Sequence, residues 1–394
     1  MGVIGSRTQI AALASTAMLI IAAGPVAGIE QTAGKPSGHS EPRIDVVASG
    51  LDAPRGLTFA PNGVLYVAEA GSGGAGPCAT GPEGDEVCLG QSGAVTAISR
   101  GQQWRVVDDL PSLADADQFA VIGPQDVAWS SRGLIVPVGL GADPAARVTF
   151  GDDGAALGTV VRISRKGSWR SIADIAAFEA AHDPDAGQPG VEHPDSNPYG
   201  VLVHGNKVIV SDAGGNSIVS HKLWPKKKSA KVSLVATLPF GSAEAPPFLG
   251  LPPGTQIPVQ PVPTGMARRG GAYYVGELTG FPFPEGGASV YKVRRDRQPV
   301  VVASGFTNII DVAFDRKGRL LVLEMFTEGL LNAEDDPSGA LWRIDHKGRR
   351  TLIADGSDGL LAPGGLAVGR DGSYYVSNKA VFGEGQGEVL RIRR

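Results

Sequence analysis

The sequence predicts an all-β fold, a six-bladed β-propeller of four-stranded antiparallel blades whose ring is closed by an N-terminal strand. Three observations carry this. Three strand signatures each recur six times; a fourth recurs five times after its neighbours; and the missing copy of the fourth stands at the opposite end of the chain. The 394 residues exceed the usual domain size but suit one closed repeat architecture, and 56 Gly with 29 Pro read as many strands and turns.

The N-terminus comes first. Arg7 precedes an uncharged, Ala/Leu/Ile-rich stretch from Thr8 to Ile29, which reads as an export signal over residues 1–28, with small residues near Ala22–Gly28 for cleavage. The same stretch approaches the ~20 residues of a membrane span, so a retained anchor is the alternative, and a membrane is a partner only in that case. Residues 29–43 are polar with Gly and Pro, a flexible lead-in. The folded domain is expected over residues 44–394.

Strand a follows a turn motif: Ala53-Pro-Arg-Gly-Leu57, Gly123-Pro-Gln-Asp-Val127, Asn197-Pro-Tyr-Gly-Val201, Val262-Pro-Thr-Gly-Met266, Thr307-Asn-Ile-Ile-Asp-Val312 and Ala362-Pro-Gly-Gly-Leu366. Pro fixes φ and Gly permits φ > 0, so the motif swings the chain into a buried strand. A Gly-bearing tight turn follows each copy and leads to strand b, as in Val64-Leu-Tyr-Val-Ala-Glu69 and Ser373-Tyr-Tyr-Val-Ser-Asn378. Strand c comes next, from Gly93-Ala-Val-Thr-Ala-Ile98 to Gly387-Glu-Val-Leu-Arg-Ile392. Strand d is a β-branched run before each new turn, and the sixth is missing at the C-terminus. Ile44-Asp-Val-Val-Ala-Ser-Gly-Leu51, which matches Pro299-Val-Val-Val-Ala-Ser-Gly-Phe306, supplies it and leaves no open sheet edge.

Alternating strands place the d-to-a and b-to-c connections on one face and the tight turns on the other. The tight turns are rich in Lys and Arg and read as solvated. Nearly every long insertion lies on the first face, where binding sites usually form on a rigid scaffold. The b strands end there, so Glu69, Asp212, Glu277, Glu324 and Asn378 are expected to ring the channel mouth, and Asp126, Asn197, Asn308 and Asp311 to approach from the strand-a entries. Oxygen ligands of this kind suit Ca²⁺ or another hard divalent cation; the competing reading is that they cap backbone N–H groups. The loop from His182 to Asp195, with two His and four carboxylates, is a weaker metal candidate and reads as a flexible rim.

Cys78 and Cys88 are the only cysteines and share one Gly-rich loop; in an exported chain they are expected to form a disulfide, whereas metal binding would need further Cys or His at zinc spacing. Gly71-Ser-Gly-Gly-Ala-Gly76 matches a dinucleotide pattern, but Pro77 and Cys78 follow where a helix must begin. The sequence holds no nucleophile elbow, zincin motif or phosphate loop. A formal charge of −4 with no basic, aromatic-interleaved stripe argues against nucleic acid as a partner.

Pro54-Arg-Gly-Leu-Thr-Phe59, Pro194-Asp-Ser-Asn-Pro-Tyr-Gly200, Gly276-Glu-Leu-Thr-Gly-Phe-Pro-Phe-Pro284 and Gly305-Phe-Thr-Asn-Ile-Ile-Asp-Val-Ala-Phe314 resemble the bacterial ScyD/ScyE family over about Ile44 to Arg394, as do the two cysteines with Gly81-Pro-Glu-Gly84 between them. The resemblance implies an exported propeller and brings no settled reaction. More distantly, the fold is similar to NHL-repeat, gluconolactonase and strictosidine-synthase-like propellers. Those lactonases hold a divalent cation in the channel, through a motif that does not match this chain residue by residue. The expectation is a monomeric extracellular binding protein whose loop-rich face meets a small molecule, glycan or protein; the alternative is a metal-dependent hydrolase or lactonase working at the channel mouth.

Overall fold

A computed structural model describes residues 42–82, 84–224 and 231–393. The export-signal or anchor segment and nearly all of the lead-in fall on residues 1–41, outside the described residues. Six antiparallel sheets form the six blades, each with strands in the order a-b-c-d. Strands a and b of the first blade are Pro54–Phe59 and Leu65–Glu69, and the other five start at Ala128, Pro198, Pro263, Ile309 and Gly365. Valine, isoleucine and leucine fill the interiors of strands b and c; Val67, Val136, Val210, Val275, Val322 and Val376 are all fully buried.

The last blade runs Gly365–Val368, Tyr374–Asn378, Gly387–Arg393 and then Arg43–Leu51. Arg43 pairs with Arg393 and Leu51 with Gly387, so the N-terminal strand is strand d of the final blade, as the displaced signature predicts. Closure satisfies a backbone edge that would otherwise face solvent.

Local chemistry sets the exceptions. In the second blade Pro137 lies in strand b, where it has no N–H to donate, and strand a is shortened to Ala128–Ser130. In the first blade strands c and d extend as one long hairpin, Glu86–Ser99 and Gln102–Ala114. Cys78–Thr80 pairs with the start of that hairpin, putting Cys78 directly opposite Cys88, and the two are joined by a disulfide. Gly241–Glu244 and Gln256–Val259 form a separate hairpin on the loop-rich face. There, too, lies a helix, Ile175–His182, capped by the Asp174 carboxylate accepting from the Ala177 N–H.

Candidate functional site

The entry to strand a repeats a three-residue pattern around the ring. Its middle position is Gly56, Asp126, Gly200, Gly265, Asp311 and Gly365 in the six blades. Asp126 and Asp311, three blades apart, line one small axial cavity with Gly56, Gln125, Tyr199, Gly200, Gly265, Ile310 and Gly364. Its volume of about 10 Å³ admits roughly one water.

Both carboxylates are fastened the same way. Asp126 Oδ1 accepts from the next N–H, that of Val127, at 2.7 Å, and Oδ2 accepts from Val201 of the following blade at 2.8 Å. Asp311 repeats this with Val312 and with Leu366 of its own following blade, both at 2.7 Å. Each oxygen of the two carboxylates therefore serves as an inter-blade or local staple. Burial pushes Asp126 up to about 7 and Asp311 well above the ordinary carboxylate range, and the charge of Asp126 raises Asp311 further.

The mouth on the loop-rich face is covered by side chains. Arg55 is buried, and its guanidinium donates to Gln125 Oε1 (3.2 Å), the Ala380 carbonyl (2.8 Å) and the Val121 carbonyl (2.9 Å), joining connections from different blades. Phe119, Tyr199, Leu278 and Val381, from four blades, pack on the apolar cluster that contains Phe326, and Phe119 stacks on Phe326 with centroids 6.5 Å apart. Side chains from opposite blades meet in this way only over the axis.

The remaining candidates do not line that cavity. Four of the five b-strand ends cap the chain as it enters strand a of the same blade. Glu69 accepts from the Asp52 N–H (2.8 Å), Asp212 from Asn197 (2.6 Å), Glu324 from Thr307 (2.7 Å) and Asn378 from Leu361 (2.8 Å). Glu277 departs from the pattern: it accepts from the Ser289 N–H of its neighbouring strand at 2.9 Å, while Asn216 of the previous blade caps Val262. Burial, against those hydrogen bonds, pushes Asp212 up to about 7 and Glu277 to about 8, and raises Glu324. Asn197 lies against Gly139, and Asn308 donates to the Leu278 carbonyl at 2.9 Å. Of the nine candidates, Asp126 and Asp311 are the two that line the described axial cavity.

Sequence reasoning did not single out Arg55 or Tyr199, which stand one residue before the middle position. The signal was available: that column reads Arg55, Gln125, Tyr199, Thr264, Ile310 and Gly364, a mixed set where interior β positions elsewhere are aliphatic.

No protein-family model matches the chain, and no curated protein matches it in sequence. Solved structures do. A Thermus thermophilus protein described as an oxidoreductase (glucose dehydrogenase) is 17% identical, with a TM-score of 0.51 over 89% of this chain and 99% of that one. This likeness is one of fold. Others include the calcium-binding protein regucalcin of Agrobacterium tumefaciens (10% identity, TM-score 0.47, 90% and 95% covered). Virginiamycin B lyase of Staphylococcus aureus, in its inactive form with quinupristin, is 11% identical with a TM-score of 0.46, 90% and 100% covered.

Proposed function

We propose that the chain is an exported binding propeller of the ScyD/ScyE kind, which meets a small molecule, glycan or protein with the rim of its loop-rich face rather than with its channel. The observation that carries this is the filled axis: the axial cavity has room for about one water, its two carboxylates are already committed to four backbone N–H groups, and Arg55 and the Phe119–Phe326 stack pack connections of different blades against one another. A hydrolytic site needs an open position beside an activated water. The rim, by contrast, presents apolar surface. Phe248 is 46% exposed and packs edge-on to Phe281, which meets Phe283 in turn, and Leu251, Leu331 and Phe382 are exposed in this and other connections of the same face. Aromatic faces of this kind stack on sugar rings and planar ligands at low entropic cost. The disulfide fits an oxidising compartment.

Two measurements test the reading together. Lactone hydrolysis assayed with Ca²⁺, Mn²⁺ and Zn²⁺ should not exceed the uncatalysed rate. Binding to immobilised glycans and to a panel of aromatic small molecules should yield at least one ligand whose affinity falls about tenfold or more in Phe248→Ser or Phe382→Ser, the loss of a stacked aromatic contact. Metal-dependent turnover abolished by Asp126→Asn would overturn it in favour of the hydrolase.

A further inference from the structure

A second group of acids lies away from the axis, where the helix Ile175–His182 runs into the loop that follows it. One oxygen each of Glu179, Asp183 and Asp185 lie within 4.8 Å of one another. Glu179 is completely buried, and neither of its carboxylate oxygens has a hydrogen-bond partner. Asp183 Oδ1 is likewise buried without a partner. None of the three forms an ion pair among the described residues. The charged groups that act on Glu179 are Asp212, Asp185, Asp183 and Asp195, all of its own sign.

The setting makes this arrangement costly unless something positive completes it. Asp183 is the left-handed C-cap of the helix, so the carboxylates gather at the negative end of the helix dipole, where cations are favoured and anions are not. An ionised carboxylate buried without a partner is among the least favourable groups a fold can hold. Nevertheless the surroundings hold the cluster in place. Asn216 Nδ2 donates to Asp185 Oδ2 at 2.7 Å, which leaves the other oxygen of Asp185 for the cluster. Gly215 lets the backbone pass close beside Glu179, since a Cβ there would fall 2.4 Å from Oε2. The histidine at this end is otherwise engaged: His182 Nδ1 bonds the Phe178 carbonyl at 2.9 Å, and its ring stacks on Phe178. The donors left are all oxygens.

We infer that Glu179, Asp183 and Asp185 form an off-axis site for one hard divalent cation of the Ca²⁺ class, which fastens the helix to the loop after it beside the b-to-c turn of the third blade. Three carboxylates leave further coordination positions to water, as Ca²⁺ takes roughly six to eight oxygens. The site shares no residue with the axial cavity, and its occupancy does not depend on what the rim binds.

The test uses the mature chain stripped with EDTA. Titration with CaCl₂ followed by calorimetry and by thermal melting should show one bound ion per chain and a higher Tm at about a hundredfold excess over Kd, because an ion that binds only the folded state must stabilise it. Glu179→Gln should remove both the bound ion and the shift. It should melt in EDTA at or above the EDTA-treated parent, since Gln keeps the shape of the side chain and removes the cost of burying a carboxyl among other acids, and this separates loss of the site from failure to fold. Asp185→Asn should weaken binding, whereas Glu277→Gln and Asp126→Asn should leave it unchanged. A parent protein that binds no Ca²⁺, or a Ca²⁺ shift that survives Glu179→Gln, overturns the inference.

Discussion

At the scale of single residues, the ring position carries a carboxylate in two blades and hydrogen in the other four, because the glycine of the preceding blade makes room for each carboxylate. A Cβ on Gly56 would fall 2.0 Å from Asp126 Oδ1 and 2.9 Å from its Cα, and one on Gly265 would fall 2.1 Å from Asp311 Oδ1. The Cα of Asp126 cannot swing away as a side chain could, so Gly56→Ala should cost more than about 3 kcal/mol by urea denaturation. Gly63→Ala is the contrast: that residue has a positive φ, 88°, but nothing lies within 4 Å, so only backbone strain of about 1 kcal/mol is expected. Equal costs at the two sites would refute the steric account of the ring. Asp126→Asn is a different kind of change. It swaps one accepting oxygen for an NH₂ group that faces either the Val127 or the Val201 N–H, with an expected loss of about 1–3 kcal/mol.

At the scale of elements, two fastenings act on the first and last blades. Removing residues 43–51 strips the partner of Gly387–Arg393 and bares its edge, so the truncated chain should melt lower and aggregate during refolding; an unchanged Tm would sink the assigned closure. Replacing both Cys78 and Cys88 by Ser should cost roughly 3 kcal/mol in the chain-entropy model, and the resulting rise in amide exchange should concentrate in residues 70–92. These elements were legible in the sequence because each depends on a repeated local cue: Pro before strand a, Gly in the a-to-b turn, a β-branched run in strand d. What was hidden belongs to single blades. The helix Ile175–His182 lies within a connection read as a loop, although Asp174 before Ile-Ala-Ala-Phe-Glu supplied a capping signal that the loop's later Pro and Gly obscured. The hairpin of Gly241–Glu244 with Gln256–Val259 carries Pro258 within it and lacked a clean alternating pattern. The site was legible only as a list of acids. Period and spacing showed that Glu69, Asp212, Glu324 and Asn378 end their strands on one face, but which backbone N–H each one meets depends on where the neighbouring chain enters, and no repeat encodes that.

At the scale of the whole molecule, the first three blades and the last three are related by an approximate twofold arrangement. Gly56, Asp126 and Gly200 correspond to Gly265, Asp311 and Gly365. Likewise Ser211 donates to the Thr264 carbonyl across the third-to-fourth junction, and Ser377 to the Arg55 carbonyl across the sixth-to-first. The strand that closes the ring is thus backed at the axis by the same hydrogen bond that joins its two halves.

This architecture buries acids, and the burial sets how stability depends on pH. Asp126 and Asp212 titrate near 7 and Glu277 near 8 when folded, against 3.8 and 4.5 for the ordinary groups. Between those values the folded chain binds more protons than the unfolded chain, so unfolding free energy falls as pH rises, by up to about 1.4 kcal/mol per pH unit for each such group. The contribution is fully present below the unfolded values and is gone once pH has passed the folded ones. Acids on the opposite face act in the other sense. Asp315, held by backbone and side-chain bonds from Arg319, and Asp345, held by Arg349, lie below the ordinary value, so their contribution is whole above about pH 4 and is lost as pH falls from there towards about 2. Together the two sets place the stability maximum near pH 4, where the second set has regained its contribution and the first begins to lose its own. Melting curves recorded in EDTA from pH 4 to pH 8.5 should therefore fall from pH 6 towards pH 8, and Asp126→Asn should make that limb shallower. A Tm that climbs steadily from pH 5 to pH 8 would show that these carboxylates enter the fold ionised.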